Sequence, residues 1–393
     1  MLIIKTLFWV SFFILFYSYI GYGMLLWVLL KLKMGVSKTQ KPSIPQFEPP
    51  VSLIIATYNE QDIIEEKITN CFALDYPKDK LQLIFVADGS NDNTVNIIQS
   101  HPDITLYYEP GRSGKVAAIN RVMPFVNTPI VIYSDANTFL NSACIKEIVK
   151  HYADEKVGAV AGEKKVIDIS GKENAAGAGE GLYWKYESYL KRLDSAFYTV
   201  VGAAGELFSI RTALFEPTSN DILLDDFIIS LKIAKKGYRV VYEPLAFAAE
   251  APSHSMQEEQ KRKVRISAGG FQSMVILKEL LNIFKYGKLS FQYISHRVLR
   301  WAICPFLLPL LLFSNILLYI NNAAALYSYI LWAQCLFYGA ATVGWLFSLK
   351  NIKVKVLYVP YYFVFMNLAL YTGLVRFYSK RQSVLWEKAK RKT

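Results

Sequence analysis

Ile130-Val131-Ile132-Tyr133-Ser134-Asp135-Ala136-Asn137-Thr138 decides how the rest of the chain is read. Ile130 to Tyr133 are β-branched or aromatic, the composition of a buried strand. The run then turns polar at Ser134, Asp135 and Asn137. Ligands of an open parallel sheet bind beyond the carboxyl ends of its strands. A carboxylate at that place suits a hard divalent cation that bridges to a substrate diphosphate. A strand-end Asp capping the next helix accounts for the same residue. Asn137 offers a neutral oxygen where Asp-x-Asp would offer a second charge.

Upstream, Val51 to Ala56 reads as an apolar strand ended by Thr57-Tyr58-Asn59-Glu60, with a helical pattern after it through about Leu74. Leu81 to Ala87 reads as a second strand, ended by Asp88-Gly89-Ser90-Asn91-Asp92. A short strand near Ile104 to Tyr108 follows. The loop Gly111-Arg112-Ser113-Gly114-Lys115 then leads into a helix from Val116 to Val122. Strands alternating with helices predict a doubly wound α/β sheet. Polar residues follow three of the strands directly.

Downstream, a strand is expected at Val157 to Val160, then a mobile Gly/Ala-rich loop at 171–181. Gly202-Ala203-Ala204-Gly205 implies close backbone approach. Asp225-Asp226 opens a helix closed by Lys235, Lys236 and Gly237. Tyr238 to Tyr242 reads as a strand stopped by Pro244. Residues 256–285 read as an amphipathic helical segment, basic from Lys261 to Arg265, lying along a membrane surface.

The 393 residues are 53% hydrophobic and mean hydropathy is +0.23, with the apolar excess localised. Leu7 to Leu30 carries no charged residue and exceeds the roughly 20 residues that cross a bilayer. Lys31, Lys33, Lys38 and Lys41 follow it, which places the next segment in the cytoplasm. Further apolar segments fall near 298–320, 323–348 and 356–375. One span before the domain and three after it put the tail outside, yet Arg376, Lys380, Arg381, Lys388, Lys390, Arg391 and Lys392 argue for inside. A re-entrant segment marked by Trp301 or the Pro305/Pro309 pair would reconcile the two rules. Much of the net charge of +12 flanks these spans, which favours anionic lipid over nucleic acid as its partner. The four cysteines show no metal-ligand spacing and read as reduced thiols. The expected division is a transmembrane segment at 1–33, a Pro-rich linker at 34–50 and a catalytic domain at 51–255. An interfacial region at 256–295, membrane segments at 296–376 and a basic tail at 377–393 complete it.

Val51-Ser-Leu-Ile-Ile-Ala-Thr-Tyr-Asn-Glu60, Ala87-Asp-Gly-Ser-Asn-Asp-Asn-Thr94, Gly114-Lys-Val-Ala-Ala-Ile-Asn120, Ser134-Asp-Ala-Asn137, Gly205-Glu-Leu-Phe-Ser-Ile-Arg211 and Leu224-Asp-Asp-Phe227 occur in this order. Together they resemble the membrane-bound family 2 glycosyltransferases of the GT-A fold, a group with poly-N-acetylglucosamine, hyaluronan and cellulose synthases. The resemblance covers roughly residues 50–275. It implies a GT-A α/β cytosolic domain with flanking transmembrane helices. It implies that Thr57, Tyr58, Glu60 and Asp88 hold a nucleoside, and that Lys115 meets the donor diphosphate. It implies that Asp135 holds Mn²⁺ or Mg²⁺ with Asn137 beside it, and that Asp226, next to Asp225, is the base. Each residue also has a plainer role: turn residue for Asp88, solvated lysine for Lys115, helix cap for the acid pair.

Synthases of this group carry Gln-x-x-Arg-Trp downstream, where this chain reads Gln260-Lys-Arg-Lys-Val-Arg-Ile266 without a tryptophan. Arg265 is the first candidate for the diphosphate cation and Arg262 the second; a lipid-facing basic run explains both equally. Trp184, with Tyr183 and Tyr186, is a candidate acceptor platform, and packing is its alternative. The expectation is an inverting transferase that moves a sugar from a nucleotide-sugar, UDP-linked, onto a growing cell-surface polysaccharide. A single transfer to a lipid or glycolipid acceptor, or a non-catalytic synthase subunit, are the alternatives.

Overall fold

The computed structural model describes residues 1–36, 47–167, 175–251, 253, 255–350, 352 and 354–380. Parts of the expected linker, the Gly/Ala-rich loop and the basic tail lie outside these residues. The expected strands are all present, as β1 (Val51–Thr57), β2 (Leu81–Asp88), β3 (Ile104–Glu109), β4 (Ile130–Asp135), β6 (Val157–Val166) and β8 (Arg239–Glu250). Two more strands, β5 (Phe139–Leu140) and β7 (Leu207–Arg211), complete one sheet of order β3-β2-β1-β4-β7-β6-β8-β5.

The sheet is mixed. β1, β2, β3 and β4 run parallel, while β7 lies antiparallel between β4 and β6. Alternating side chains along β1 enter two cores. Ile54 packs with Val86, Tyr133 and the helix Lys115–Val122 on one face. Leu53 and Ile55 pack with Phe85, Ile132 and the helix Ile64–Phe72 on the other. Every residue of β1 is buried, as a central strand covered on both faces requires.

Two expectations are corrected. Pro244 does not stop its strand: β8 runs through it to Glu250, and a register shift between Gly162 and Glu163 of β6 takes up the irregularity. Proline is tolerated where the ladder is already broken by a bulge. The Gly/Ala-rich stretch is helical from Ala175, in a helix that continues to Phe197.

Four helices among the described residues are long and apolar enough to cross a membrane: Leu2–Lys33, Lys288–Ile320, Ala325–Leu349 and Val356–Tyr378. The second contains a π-helical stretch, Ile294–Ile303, directly before Pro305. That stretch turns charge toward the domain. His296 sits between two carboxylates, with Nδ1 2.5 Å from Asp194 and Nε2 3.3 Å from Glu187. Arg297 pairs with Glu187 at 2.6 Å, and its Nε donates to the Val201 carbonyl. Tyr22 of the N-terminal helix donates to Asp194 as well. Two segments remote in sequence therefore converge on Asp194 and Glu187.

The helix Met256–Ile276 is wedged between the domain and the last membrane helix. A Cβ added at Gly269 would lie 2.7 Å from Leu224, one at Gly270 2.8 Å from Trp301, and one at Gly373 2.4 Å from Ser267. Ser267-Ala268-Gly269-Gly270 is thus a close-packing surface. The basic run before it does not form one exposed face: Lys261 is exposed, while Lys263 is only 3% exposed and pairs with Glu259.

Candidate active site

Three strand ends make the floor of the site. Register places Ala56 beside Asp135 and Thr57 beside Ala87, so the polar turns after β1, β2 and β4 stand side by side. The Thr57 hydroxyl donates to the Val86 carbonyl and closes the strand end. Asn59, in the left-handed region at φ 51°, donates from Nδ2 to Asn91 Oδ1 at 2.8 Å and accepts from the Asn91 amide at 2.9 Å. The Glu60 amide donates to Thr94 Oγ1 at 2.8 Å. These bonds join the Tyr58–Glu60 turn and the 88–94 turn into one unit. The Arg112 guanidinium lies 3.7 Å over the Tyr58 ring.

Asp88 is buried at the end of β2. Its Oδ2 accepts from the amides of Ser113, at 2.9 Å, and Gly114, at 2.6 Å. Arg121 approaches Oδ1 to 3.7 Å, and Oδ1 has no hydrogen-bond partner among the described residues. Gly89 has φ +73°, and a Cβ there would meet Arg112 at 2.6 Å. Both facts require glycine next to Asp88. An orphaned buried acceptor in a tight turn costs about 1–3 kcal/mol unless a donor meets it. Ribose hydroxyls and the uracil N3–H are such donors.

Lys115 opens the helix behind Gly114 and reaches Asp135 Oδ1 at 2.5 Å. Burial opposes its charge, but Asp135, Asp225 and Asp226 outweigh that and raise its pKa. A Cβ on Gly205 would lie 3.3 Å from Asp226 Oδ2 and 3.5 Å from Lys115 Nζ, so both groups face one bare stretch of backbone. Burial, then repulsion from Asp225, push the Asp226 carboxyl up to about 7, against the pull of Lys115. Asp225 is buried and its Oδ2 has no hydrogen-bond partner among the described residues. Arg265 lines the same cleft as Lys115 and Asp225, together with Gly114, Asn220 and Leu223. Burial lowers its pKa while Asp225 and Asp135 oppose that, and its Nε is unpartnered among the described residues.

The other sequence candidates stand elsewhere. Arg262 pairs with Glu259 at 3.1 Å and Glu250 at 3.7 Å. Trp184 is not among the residues lining the cleft; the ammonium groups of Lys164, Lys191 and Lys263 lie 5.1, 5.5 and 5.8 Å from its ring. Lys164 itself pairs with Glu206 and Glu250. Reading the sequence missed Arg112, Arg121 and Glu206. Glu206 follows Gly205 directly, and its charge adds to the upward push on Asp226.

Asp135 and Asn137 are half-buried and offer hard oxygens, one carboxylate and one carboxamide. No group of three or more His, Cys, Asp or Glu gathers as a metal site among the described residues. One carboxylate, which also pairs with Lys115, and one carboxamide are few ligands; such a set is compatible with Mg²⁺, which commonly binds through one or two carboxylates.

Residues 52–217, which hold every strand end described above, match the family model Glycosyl transferase family 2. That stretch is a family 2 glycosyltransferase domain. The poly-beta-1,6-N-acetyl-D-glucosamine synthase of Staphylococcus aureus strain MSSA476 is 26% identical over 267 residues, which cover 65% of this chain and 62% of the relative. The synthase of the same name from Staphylococcus epidermidis is 25% identical over 288 residues, covering 68% and 67%. The chain thus spans 62% of the length of the S. aureus relatives it matches. A mannosyltransferase from Pyrobaculum calidifontis, solved with GDP-Man and Mn²⁺, aligns with a TM-score of 0.67 at 23% identity, covering 96% of this chain and all of that one. That likeness establishes the GT-A fold of the glycosyltransferase domain.

Proposed function

We propose that this chain is an inverting glycosyltransferase that uses a UDP-linked sugar from the cytoplasm to extend a cell-surface polysaccharide at the membrane. The observation that supports this most directly is that Asp226 and Lys115 both border Gly205. A carboxylate and an ammonium that border one small space suit a displacement at an anomeric carbon. The acceptor hydroxyl gives its proton to Asp226 as its oxygen bonds to the carbon. The bond from that carbon to the diphosphate breaks, and its electron pair leaves with the diphosphate. One displacement inverts the centre.

Charge on the leaving oxygens grows during the step. Lys115 and Arg265, both on the cleft wall, stabilise it more than they stabilise bound donor, which lowers the barrier. Asp135 and Asn137 would hold the divalent cation, which supplies further positive charge to the diphosphate. Asp88, Tyr58 and Glu60 would hold the nucleoside. A pKa near 7 for Asp226 matches a base that works at neutral pH.

Purified protein in lipid nanodiscs, supplied with UDP- and GDP-sugars and Mn²⁺, tests this reading. Diphosphate release and a ladder of products from a UDP-sugar are expected. A single product would move the reading to one transfer onto a lipid acceptor. No release from any donor would refute the transferase.

A further inference from the structure

The helix Ile64–Phe72 carries its apolar residues toward the sheet, and one position on that face is a lysine. Ile64, Ile68 and Cys71 are buried there, and so is Lys67, at 0% exposure. Among the described residues no carboxylate forms an ion pair with it, although the Asp135 charge acts on it from a distance. Its ammonium instead donates to Ser134 Oγ at 3.0 Å and to the Thr138 carbonyl at 2.6 Å. Those acceptors stand at the two ends of Ser134-Asp135-Ala136-Asn137-Thr138.

The turn between them is tied internally. Ser134 Oγ and Thr138 Oγ1 share a hydrogen bond at 3.2 Å, and Thr138 Oγ1 donates to the Asp135 carbonyl at 3.0 Å. Removing the ammonium leaves these small bonds without their anchor in the core. Three residues along the helix, Asn70 holds the next segment, donating to the Leu140 carbonyl and accepting from the Leu140 amide, each at 2.8 Å. Burying an ammonium is costly unless hydrogen bonds repay it. Stability alone would be served better by an apolar residue at this position. The lysine therefore points to a demand for geometry.

We propose that Lys67 is a positioning residue for the diphosphate end of the donor site: it fixes the Ser134–Thr138 turn from inside the core, and so sets where Asp135 and Asn137 stand. Lys67 is enclosed in the core; its hydrogen bonds run to Ser134 and Thr138, and its charge also acts on Asp135. The proposal rests on the glycosyltransferase reading for the identity of the ligand, though not for the pinning itself.

The test compares Lys67→Met, Ser134→Ala and Asn70→Ala with the parent chain in nanodiscs. Binding of UDP with Mn²⁺ is measured by calorimetry, unfolding by thermal melt, and backbone mobility by hydrogen exchange of peptides covering 134–138. Lys67→Met should weaken UDP–Mn²⁺ binding at least tenfold and speed exchange across 134–138. Ser134→Ala should do both to a smaller degree, and it carries the test if Lys67→Met fails to fold. Asn70→Ala should melt earlier yet bind UDP–Mn²⁺ as the parent does. Parental affinity and exchange in Lys67→Met, or in Ser134→Ala if only that variant folds, overturns the proposal. Equal weakening by Asn70→Ala also overturns it, since any damage to the helix would then suffice. If the parent itself binds no nucleoside diphosphate, the glycosyltransferase reading falls, and exchange alone decides whether Lys67 pins the turn.

Discussion

Arg262 and Arg265 stand three residues apart on one helix and serve different neighbours. Arg262 turns to Glu259 and Glu250, whereas Arg265 lines the cleft with Lys115 and Asp225. Substitutions at the two positions should separate them. Arg265→Lys should slow transfer at saturating donor by at least tenfold without changing the melting temperature, because an ammonium cannot reproduce the bidentate fork on phosphate oxygens. Arg262→Ala should cost stability instead, about 3 kcal/mol, since it strips a cation from buried carboxylates. Initial rates and thermal melts on both variants check this; a selective rate loss at Arg262 would reverse the assignment.

The raised pKa of Asp226 gives the rate a direction with pH. A raised value means that the folded chain holds the proton more tightly, so the base form appears only as pH climbs through about 7. kcat/KM should rise about tenfold per pH unit below that point and level off above it. The stability linked to the protonated form is present below the unfolded carboxylate's value, near 3.8, and lost as pH rises toward 7. Asp225→Asn removes the neighbouring charge and should move the acid limb of kcat/KM to lower pH. An unmoved limb would show that another group titrates there.

Asn137, in the proposed cation site, is expected to set the strength of a metal requirement. Asn137→Asp should keep transfer and lower the Mn²⁺ concentration for half-maximal diphosphate release, because a second carboxylate adds an anionic hard ligand. Asp135→Ala should abolish metal-dependent donor binding, and it also frees Lys115 from its 2.5 Å partner. Mn²⁺ titrations of UDP binding report both. An unchanged titration in Asn137→Asp would take Asn137 out of the ligand shell.

Gly269 carries a packing prediction. Valine there would drive a side chain into Leu224, already 2.7 Å from an added Cβ. Leu224 immediately precedes Asp225 and Asp226, so the helix bearing Arg265 must shift away from the acids. Gly269→Val should lose transfer by more than tenfold and destabilise the chain by about 1–3 kcal/mol. A parental rate would mean that Arg265 need not stand where it does.

Much of this was legible before the structure. The strands, their polar ends and the glycines around Asp88 follow from alternation and turn chemistry, and the acid pair at 225–226 from helix-start preference. β7 was not legible, because Leu207-Phe208-Ser209-Ile210-Arg211 is short and its partners β4 and β6 are remote in sequence. The helix from Ala175 was hidden by a Gly/Ala composition that propensity assigns to loops. The sequence ranks Arg265 above Arg262 but gives no sign of which buried acid each arginine meets. Lys67 did leave a signal: it occupies an apolar position of the stripe formed by Ile64, Ile68 and Cys71.

The cluster around Asp194 and Glu187 bears on how the molecule can be divided. Their partners come from the N-terminal helix, through Tyr22, and from the helix that begins at Lys288, through His296, Arg297 and Arg300. Cutting residues 51–255 away from both would strip Asp194 and Glu187 of Tyr22, His296, Arg297 and Arg300 and leave two buried acids short of partners. The enzyme half is therefore no detachable module: its fold is completed by two of the helices that are long and apolar enough to cross a membrane. Through Arg297 and the Val201 carbonyl, the helix that begins at Lys288 is tied to backbone four residues before Gly205, which borders Asp226.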